Sequence, residues 1–500
     1  MRTPLGLGRR YRAILSYTGL ILLLAGLWML TPLALLLAWP EEAGQALAFV
    51  LPALALGGIG LLLWRTLRCP DVALTVQEGS VIVVLAWVVV CLASARPFMT
   101  AQGLDFTQAV FEAVSGWTTT GLSVVDVTRA SHLVLFWRSA MQLAGGAGLA
   151  ILMLAALTGP PGSGLSVAEG RSEQLVPHVR QSAKLVVLLY AGYTLLGVVA
   201  LWLAGMNLFD AVNHAYAAVS TGGFSTVPES IGHWDSLGIE AVTLALMVLG
   251  NLNFLTVWVL LHGKARAVWR NGEVRVQTVL LPIATVAVFA LVCQGLYPTL
   301  GKQVRVAVFE TVSALTTTGF STVGYGNWTG FGILLLMVLM LVGGGTCSTA
   351  GGIKQYRVYL LFESLAWEFR RPFLPQRAMI QPPYWQGERR GFLADAQVRQ
   401  MAAFVTLYLF AFVLGTGVLV ACGYGLRESL FEFASALGTV GLSVGVTTPD
   451  APRLVLWAET LGMLLGRLEF FVIFVGAAKL LRDVPRLALV PGAPRSVEAP

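Results

Sequence analysis

Four segments of this chain carry nearly the same string of residues, each between two apolar runs long enough to span a bilayer. Phe111 to Ser123 reads Phe-Glu-Ala-Val-Ser-Gly-Trp-Thr-Thr-Thr-Gly-Leu-Ser, and Phe309 to Ser321 reads Phe-Glu-Thr-Val-Ser-Ala-Leu-Thr-Thr-Thr-Gly-Phe-Ser. Phe431 to Ser443 follows as Phe-Glu-Phe-Ala-Ser-Ala-Leu-Gly-Thr-Val-Gly-Leu-Ser. Asn213 to Ser225 diverges more, as Asn-His-Ala-Tyr-Ala-Ala-Val-Ser-Thr-Gly-Gly-Phe-Ser. The aligned glycines are Gly121, Gly223, Gly319 and Gly441, at intervals of roughly 100 residues, and such repetition constrains a fold more than any local propensity. The flanking runs lie near 80–98 and 131–157, 182–205 and 235–262, 277–297 and 330–361, and 400–422 and 453–481.

Each string begins with about ten helix-compatible residues and then breaks into Thr/Gly-rich extended chain. The unit predicted is span, short re-entrant helix, loop, span, four times over. Two more apolar runs, near 13–38 and 45–64, precede the first unit. The expected fold is therefore an all-α integral membrane protein of ten spanning helices and four half-helices, arranged as four pseudo-symmetric repeats around one pore. Its expected parts are an N-terminal helix pair (1–70), repeats one (71–165), two (166–265) and three (266–365), a cytoplasmic connection (366–399), repeat four (400–485) and a cytoplasmic tail (486–500).

Composition agrees. Of 500 residues, 56% are hydrophobic and only 12% charged, where a soluble chain carries about 25%. A chain that cannot cover itself with polar groups needs the bilayer as solvent. The first run follows Arg9, Arg10 and Arg12 but exceeds the ~7–15 apolar residues of a signal peptide, so it is read as a retained helix. Most of the 33 Lys and Arg fall in six segments: 1–12, 65–79, 158–184, 262–276, 352–399 and 479–500. By the positive-inside rule these face the cytoplasm, with both termini. The net charge of +7 is then a topology signal, and nucleic acid is not an expected partner.

Irregular backbone at membrane depth is tolerated only where it is buried in protein or lines a water-filled cavity. Four such loops can meet around one axis. Glycine lets each loop approach it closely, carbonyl oxygens can replace an ion's hydration shell, and the threonines add hydroxyl acceptors. Each short helix points its partially negative C-terminal end at the centre. Both devices select cations. A repeated packing motif without an ion path is the plainer alternative. The candidate ion-binding residues are Thr119, Thr120 and Gly121; Thr221, Gly222 and Gly223; Thr317, Thr318 and Gly319; and Thr439, Val440 and Gly441.

A second feature interrupts the later span of repeat three. Gly343, Gly344, Gly345, Gly351 and Gly352 crowd into ten residues with Thr346, Cys347, Ser348 and Thr349, and Lys354 follows. Glycine disfavours helix by about 1 kcal/mol per residue, and the hydroxyls offer the freed backbone other partners, so a broken helix is expected. A phosphate-binding loop is excluded by its missing Gly-x-x-x-x-Gly-Lys-Ser/Thr spacing. Arg467 lies mid-span in the last run, where an arginine costs on the order of 2.5–3.5 kcal/mol and usually serves function. Glu469, two residues on, is a poor partner for it on a helix. Gly145, Gly146 and Gly148, and Gly250 with Asn251 and Asn253, read more simply as close helix packing.

These strings resemble the Trk/Ktr/HKT superfamily of potassium transporters, and most its TrkH-type membrane subunits, over essentially the whole chain. The resemblance implies that the four glycines mark potassium selectivity, since serine at the first goes with sodium permeation in some members. It also implies that the 343–352 segment closes the pore from the cytoplasmic side, with Arg467 beside it and Lys354 as a second basic residue. Pairing as a homodimer and a cytosolic nucleotide-binding regulatory ring are implied by the resemblance alone. The bound and transported species is then potassium, and no cofactor is expected.

Repeat two departs from the pattern: His214 stands where the others have Glu112, Glu310 and Glu432, and Ala217 where they have Ser115, Ser313 and Ser435. A helix-capping His and a pH-sensing His remain open. No enzyme is expected, because His132, His178, His214, His233 and His262 are dispersed and no paired carboxylates recur at helix spacing. The five cysteines, Cys69, Cys91, Cys293, Cys347 and Cys422, have no metal-ligand spacing. A carrier alternating access would show inverted repeats around a midplane site, whereas these repeats run in one direction. Passive flux and coupling to protons or sodium both remain open.

Overall fold

The computed structural model of the chain describes residues 6–69, 74–148, 179–373, 383–386 and 389–488. His178, the run beyond residue 148 and the tail beyond 488 lie outside the described residues. Among the described residues six helices are long and apolar enough to cross a membrane, and two bent helix pairs bring the number to eight when each pair is one span.

Helices α1 (Leu7–Trp28) and α2 (Ala46–Thr66) form the N-terminal pair. Gly19, Gly26 and Gly60 let them cross at backbone distance, as small residues do in bilayers. Helix α1 starts at Leu7 rather than Ala13, so Arg9, Arg10 and Arg12 belong to its first turns. Arg10 pairs at 2.7 Å with the buried Glu78 of α3 (Val76–Ser94).

After the short α4 (Arg96–Ala101), α5 (Phe106–Trp117) carries the first string. The other strings lie on α8 (Leu208–Val219), α13 (Leu300–Leu315) and α17 (Leu426–Gly438). Three of these four helices start at a side-chain cap: Asp105, which forms a capping box with Gln108, then Asn207 and Thr299. Flanking helices are α6 (His132–Ala147), α7 (Val179–Leu203), α9 (Leu237–Asn251), α10 (Phe254–Leu261), α11 (Ala265–Arg270), α12 (Gly272–Val288), α14 (Gly330–Val342), α15 (Gln355–Arg370), α16 (Asp395–Ala421), α18 (Arg453–Leu468) and α19 (Phe470–Ala488).

Three expectations are corrected. Breaks are not confined to repeat three, because α9 and α10 meet at 111° and α18 and α19 at 101°. Gly250, Asn251 and Asn253 therefore mark a kink as well as a close contact, and Arg467 sits one residue before the break that divides the last span into α18 and α19. The kink at Glu469 needs no glycine, although its φ of +61° is one that L-residues resist. Finally, the connection holds a hairpin, β1 (Pro383–Gln386) antiparallel to β2 (Arg389–Phe392). Gly391 gives the ring of Tyr384 room, and Tyr384 packs near Tyr356 of α15.

Candidate functional site

Each short helix leaves its axis in the same way. In all four strings the residue two before the glycine is a left-handed threonine: Thr119 at φ +55°, Thr221 at +51°, Thr317 at +54° and Thr439 at +51°. A β-branched residue there costs about 1–3 kcal/mol, which only surrounding structure sustains. A backbone bond spanning five residues closes each turn. Thr120 N donates to Ser115 O at 2.9 Å, Gly222 N to Ala217 O at 2.8 Å, Thr318 N to Ser313 O at 3.0 Å and Val440 N to Ser435 O at 2.9 Å. The glycines follow with φ between +73° and +98°.

The loops then meet in cyclic order. A Cβ built on Gly121 would overlap Gly222 O, one on Gly223 would overlap Thr318 O, one on Gly319 Val440 O, and one on Gly441 Thr120 O. All four approaches lie inside 3.0 Å, which real Cβ atoms do not reach, so glycine is required at each.

A buried carboxylate braces three of the loops from behind. Glu112 accepts from Ser123 Oγ and Val124 N at 3.0 Å, and Glu432 accepts from Ser443 Oγ at 2.6 Å and Val444 N at 2.9 Å. Glu310 accepts from Thr322 N and Oγ1 at 2.8 Å and from the Tyr325 hydroxyl. In repeat two the fully buried His214 takes this place, bonding Ser225 Oγ through Nε2 at 3.0 Å and Asp210 O through Nδ1 at 2.8 Å. Its place is thus that of a loop brace rather than a helix cap alone. The Oγ1 atoms of Thr119 and Thr439 are buried without a hydrogen-bond partner.

The glycine-rich segment packs against the threonine ends of these loops. Helix α14 stops at Val342, the chain turns through Gly343 at φ +70°, and helix resumes at Gln355. Gly351 N donates to Thr317 Oγ1 at 2.7 Å, and Thr221 Oγ1 donates to Thr349 Oγ1 at 3.1 Å. Thr349 N donates to Gly250 O at 3.2 Å, and a Cβ on Gly351 would strike Thr439 Oγ1. Arg467 reaches across: Nη1 donates to Thr349 O at 2.6 Å, while Nη2 donates to Gly145 O at 2.6 Å and to Gly146 O at 3.3 Å. Lys354 Nζ donates to Ala350 O within the segment.

A family model described as a cation transport protein matches residues 53–484. The chain belongs to the TrkH family. It is 31% identical over 484 residues to the Trk system potassium uptake protein TrkH of Escherichia coli strain K12, covering 93% of this chain and 98% of that one. Similarity extends to an uncharacterized cation transporter of Methanocaldococcus jannaschii, at 29% identity over 95% and 97% of the two chains. The crystal structure of the potassium transporter TrkH from Vibrio parahaemolyticus superposes with a TM-score of 0.81 and 29% identity, over 96% of this chain and 99% of that one.

In this TrkH-family chain the 343–352 segment is hydrogen-bonded to the second and third threonine loops and to Arg467. Two partners of this broken segment and its flank were not read from sequence. Glu273, at the start of α12 and 5% exposed, accepts from Thr346 N at 2.7 Å and Thr346 Oγ1 at 2.5 Å. Arg357, on α15, donates to both Glu469 carboxylate oxygens at 2.8 and 2.9 Å and to Ile353 O at 3.1 Å. Asn271 caps α12 and fixes Glu273 in place, a cap signal legible in the sequence. Nothing local announces the Arg357–Glu469 pair, whose members are 112 residues apart. Among the described residues no group of three or more His, Cys, Asp or Glu could hold a metal, and none of the five cysteines forms a disulfide.

Proposed function

We propose that this chain carries potassium into the cell across the cytoplasmic membrane, through a pore whose filter is the ring of four Thr/Gly loops. The observation that carries this reading is the cyclic contact of the loops, each turned by a left-handed threonine and admitted to its neighbour by a glycine. Such a ring offers backbone carbonyls and threonine hydroxyls in place of water, with four helix C-termini pointed toward it. The filter takes Thr119, Thr120, Gly121, Thr221, Gly222, Gly223, Thr317, Thr318, Gly319, Thr439, Val440 and Gly441. Four glycines at the closest approach favour potassium over sodium, as the likeness to potassium uptake proteins also does.

The 343–352 segment is the gate, and Arg467 is its latch and an electrostatic barrier. Both termini face the cytoplasm. A second copy of this chain and a cytosolic ring of nucleotide-binding domains are the expected partners. Purified protein in sealed vesicles tests the reading. Rubidium should accumulate down a potassium-type gradient, with sodium and lithium nearly excluded. Uptake that persists without a proton or sodium gradient marks a passive pore, and uptake that requires one marks a coupled carrier. Equal sodium and rubidium permeability would remove the filter assignment.

A further inference from the structure

Repeat two lacks a serine that holds the other filter loops. The serine of the remaining repeats sits behind the glycine and pins it. Ser115 Oγ donates to Leu122 O at 2.5 Å and accepts from Gly121 N at 3.1 Å. Ser313 Oγ donates to Phe320 O at 2.6 Å, and Ser435 Oγ accepts from Gly441 N at 2.9 Å. Ala217 can do neither.

We propose that Gln142 and Arg138, one turn apart on α6 of repeat one, are positioning residues that hold the second filter loop and so set ion selectivity. The inference rests on the filter reading given under Proposed function. Gln142 is fully buried, and its amide grips the loop from both ends: Nε2 donates to Gly222 O at 2.5 Å, and Oε1 accepts from Phe224 N at 3.2 Å. Arg138, 2% exposed, donates through Nη1 to Ser225 O at 2.9 Å and lies 4.0 Å over the Phe224 ring. Its other nitrogens bind repeat one, with Nε on Glu112 Oε1 at 2.7 Å and Nη2 on Ser123 Oγ at 2.8 Å. It therefore joins two adjacent loops. Ser139 between them donates to Asn213 Oδ1 at 2.5 Å, midway along the second short helix.

A second feature of the string makes room for this grip. Gly222 replaces the residue that is Thr120, Thr318 or Val440 elsewhere. A Cβ at Gly222 would overlap the Gln142 amide, whereas Thr120 and Thr318 bond their own Thr118 and Thr316 at 2.7 and 2.8 Å. The alanine at 217 and the glycine at 222 are thus two halves of one exchange. An internal serine and a bulky filter residue are replaced by a glutamine and an arginine from the neighbouring repeat.

The test compares rubidium and sodium permeability in vesicles for four proteins: the parent, Gln142→Met, Ala217→Ser, and the double variant. Methionine matches glutamine in length and makes neither bond, leaving Gly222 O and Phe224 N unpaired. The ratio in Gln142→Met should fall about tenfold or more, the scale of a buried polar group left unsatisfied. Ala217→Ser in the double variant supplies the serine of the other repeats, which would hold the same loop at Gly223 N and Phe224 O instead of at the two orphaned atoms, and should restore the ratio to within about twofold of the parent. An unchanged ratio in Gln142→Met overturns the proposal, as does a fall that Ala217→Ser leaves in place, because loss of packing alone would not be rescued. Should Gln142→Met not assemble, the double variant decides: recovered assembly and selectivity support the proposal, and failure overturns it. A parent that does not distinguish the two ions instead removes the filter reading itself.

Discussion

Replacing Arg467 by alanine should open the pore without altering what it selects. The guanidinium makes two bonds of 2.6 Å, to Thr349 O and Gly145 O, and a longer one of 3.3 Å to Gly146 O. A hydrogen bond to a charged group contributes about 1.5–3 kcal/mol, so the two short bonds set a ceiling of about 3–6 kcal/mol on the closed state. The open state recovers part of this, because the freed guanidinium and carbonyls meet water. A net loss of about 1.4–3 kcal/mol shifts the open-to-closed ratio by about 10- to 150-fold. The assay is single-channel open probability in planar bilayers, with the reversal potential in mixed potassium and sodium read from the same records. Arg467→Lys separates the two roles. Lysine keeps the charge but cannot span carbonyls on two elements, so open probability should rise while unitary conductance stays near the parent's. An alanine variant that elutes and melts as the parent does, yet opens no more often, would refute the latch.

Three further outcomes follow from the same geometry. Glu273→Gln weakens the hold on Thr346, and rubidium uptake should rise several-fold with selectivity unchanged, a hydrogen bond to a charged group contributing about 1.5–3 kcal/mol; uptake equal to the parent's would remove Glu273 from the gate. Gly319→Ala drives a Cβ into Val440 O and should abolish selective uptake, whereas Gly324→Ala, with nothing within 4 Å, should be silent. Arg357→Gln and Glu469→Gln should each raise open probability, and the double variant should fall short of their summed effects, since the two residues form one pair; full additivity would show that the pair does not brace the kink.

Local signals carried the four loop turns and the break after Val342. Four copies of one string marked the turns at Gly121, Gly223, Gly319 and Gly441, because glycine at a backbone crossing has no substitute. Five glycines in ten residues forced the break after Val342, since helix propensity is a local quantity. An arginine among apolar residues had to find acceptors, and Arg467 found them on the broken segment and on α6. Long-range pairing was not legible. The kink at Glu469 carries no glycine or proline, and its partner Arg357 lies across the fold. Glu273 and Thr346 are 73 residues apart, and neither is unusual in its own neighbourhood. Read alone, repeat two is only the most divergent of the four strings. Its missing serine makes sense only once α6 is seen to place Gln142 beside Gly222. The hairpin at 383–392 was hidden for a related reason, because two four-residue strands leave too short a pattern to distinguish from a loop.

The central claim is that potassium sits inside the ring of four loops. Anomalous diffraction from crystals grown with thallium or rubidium tests it most directly. Density should appear on the axis encircled by residues 119–121, 221–223, 317–319 and 439–441, and should weaken when sodium replaces the heavier ion. A ring free of density in protein that transports rubidium, or a site bound elsewhere in the bundle, would contradict it.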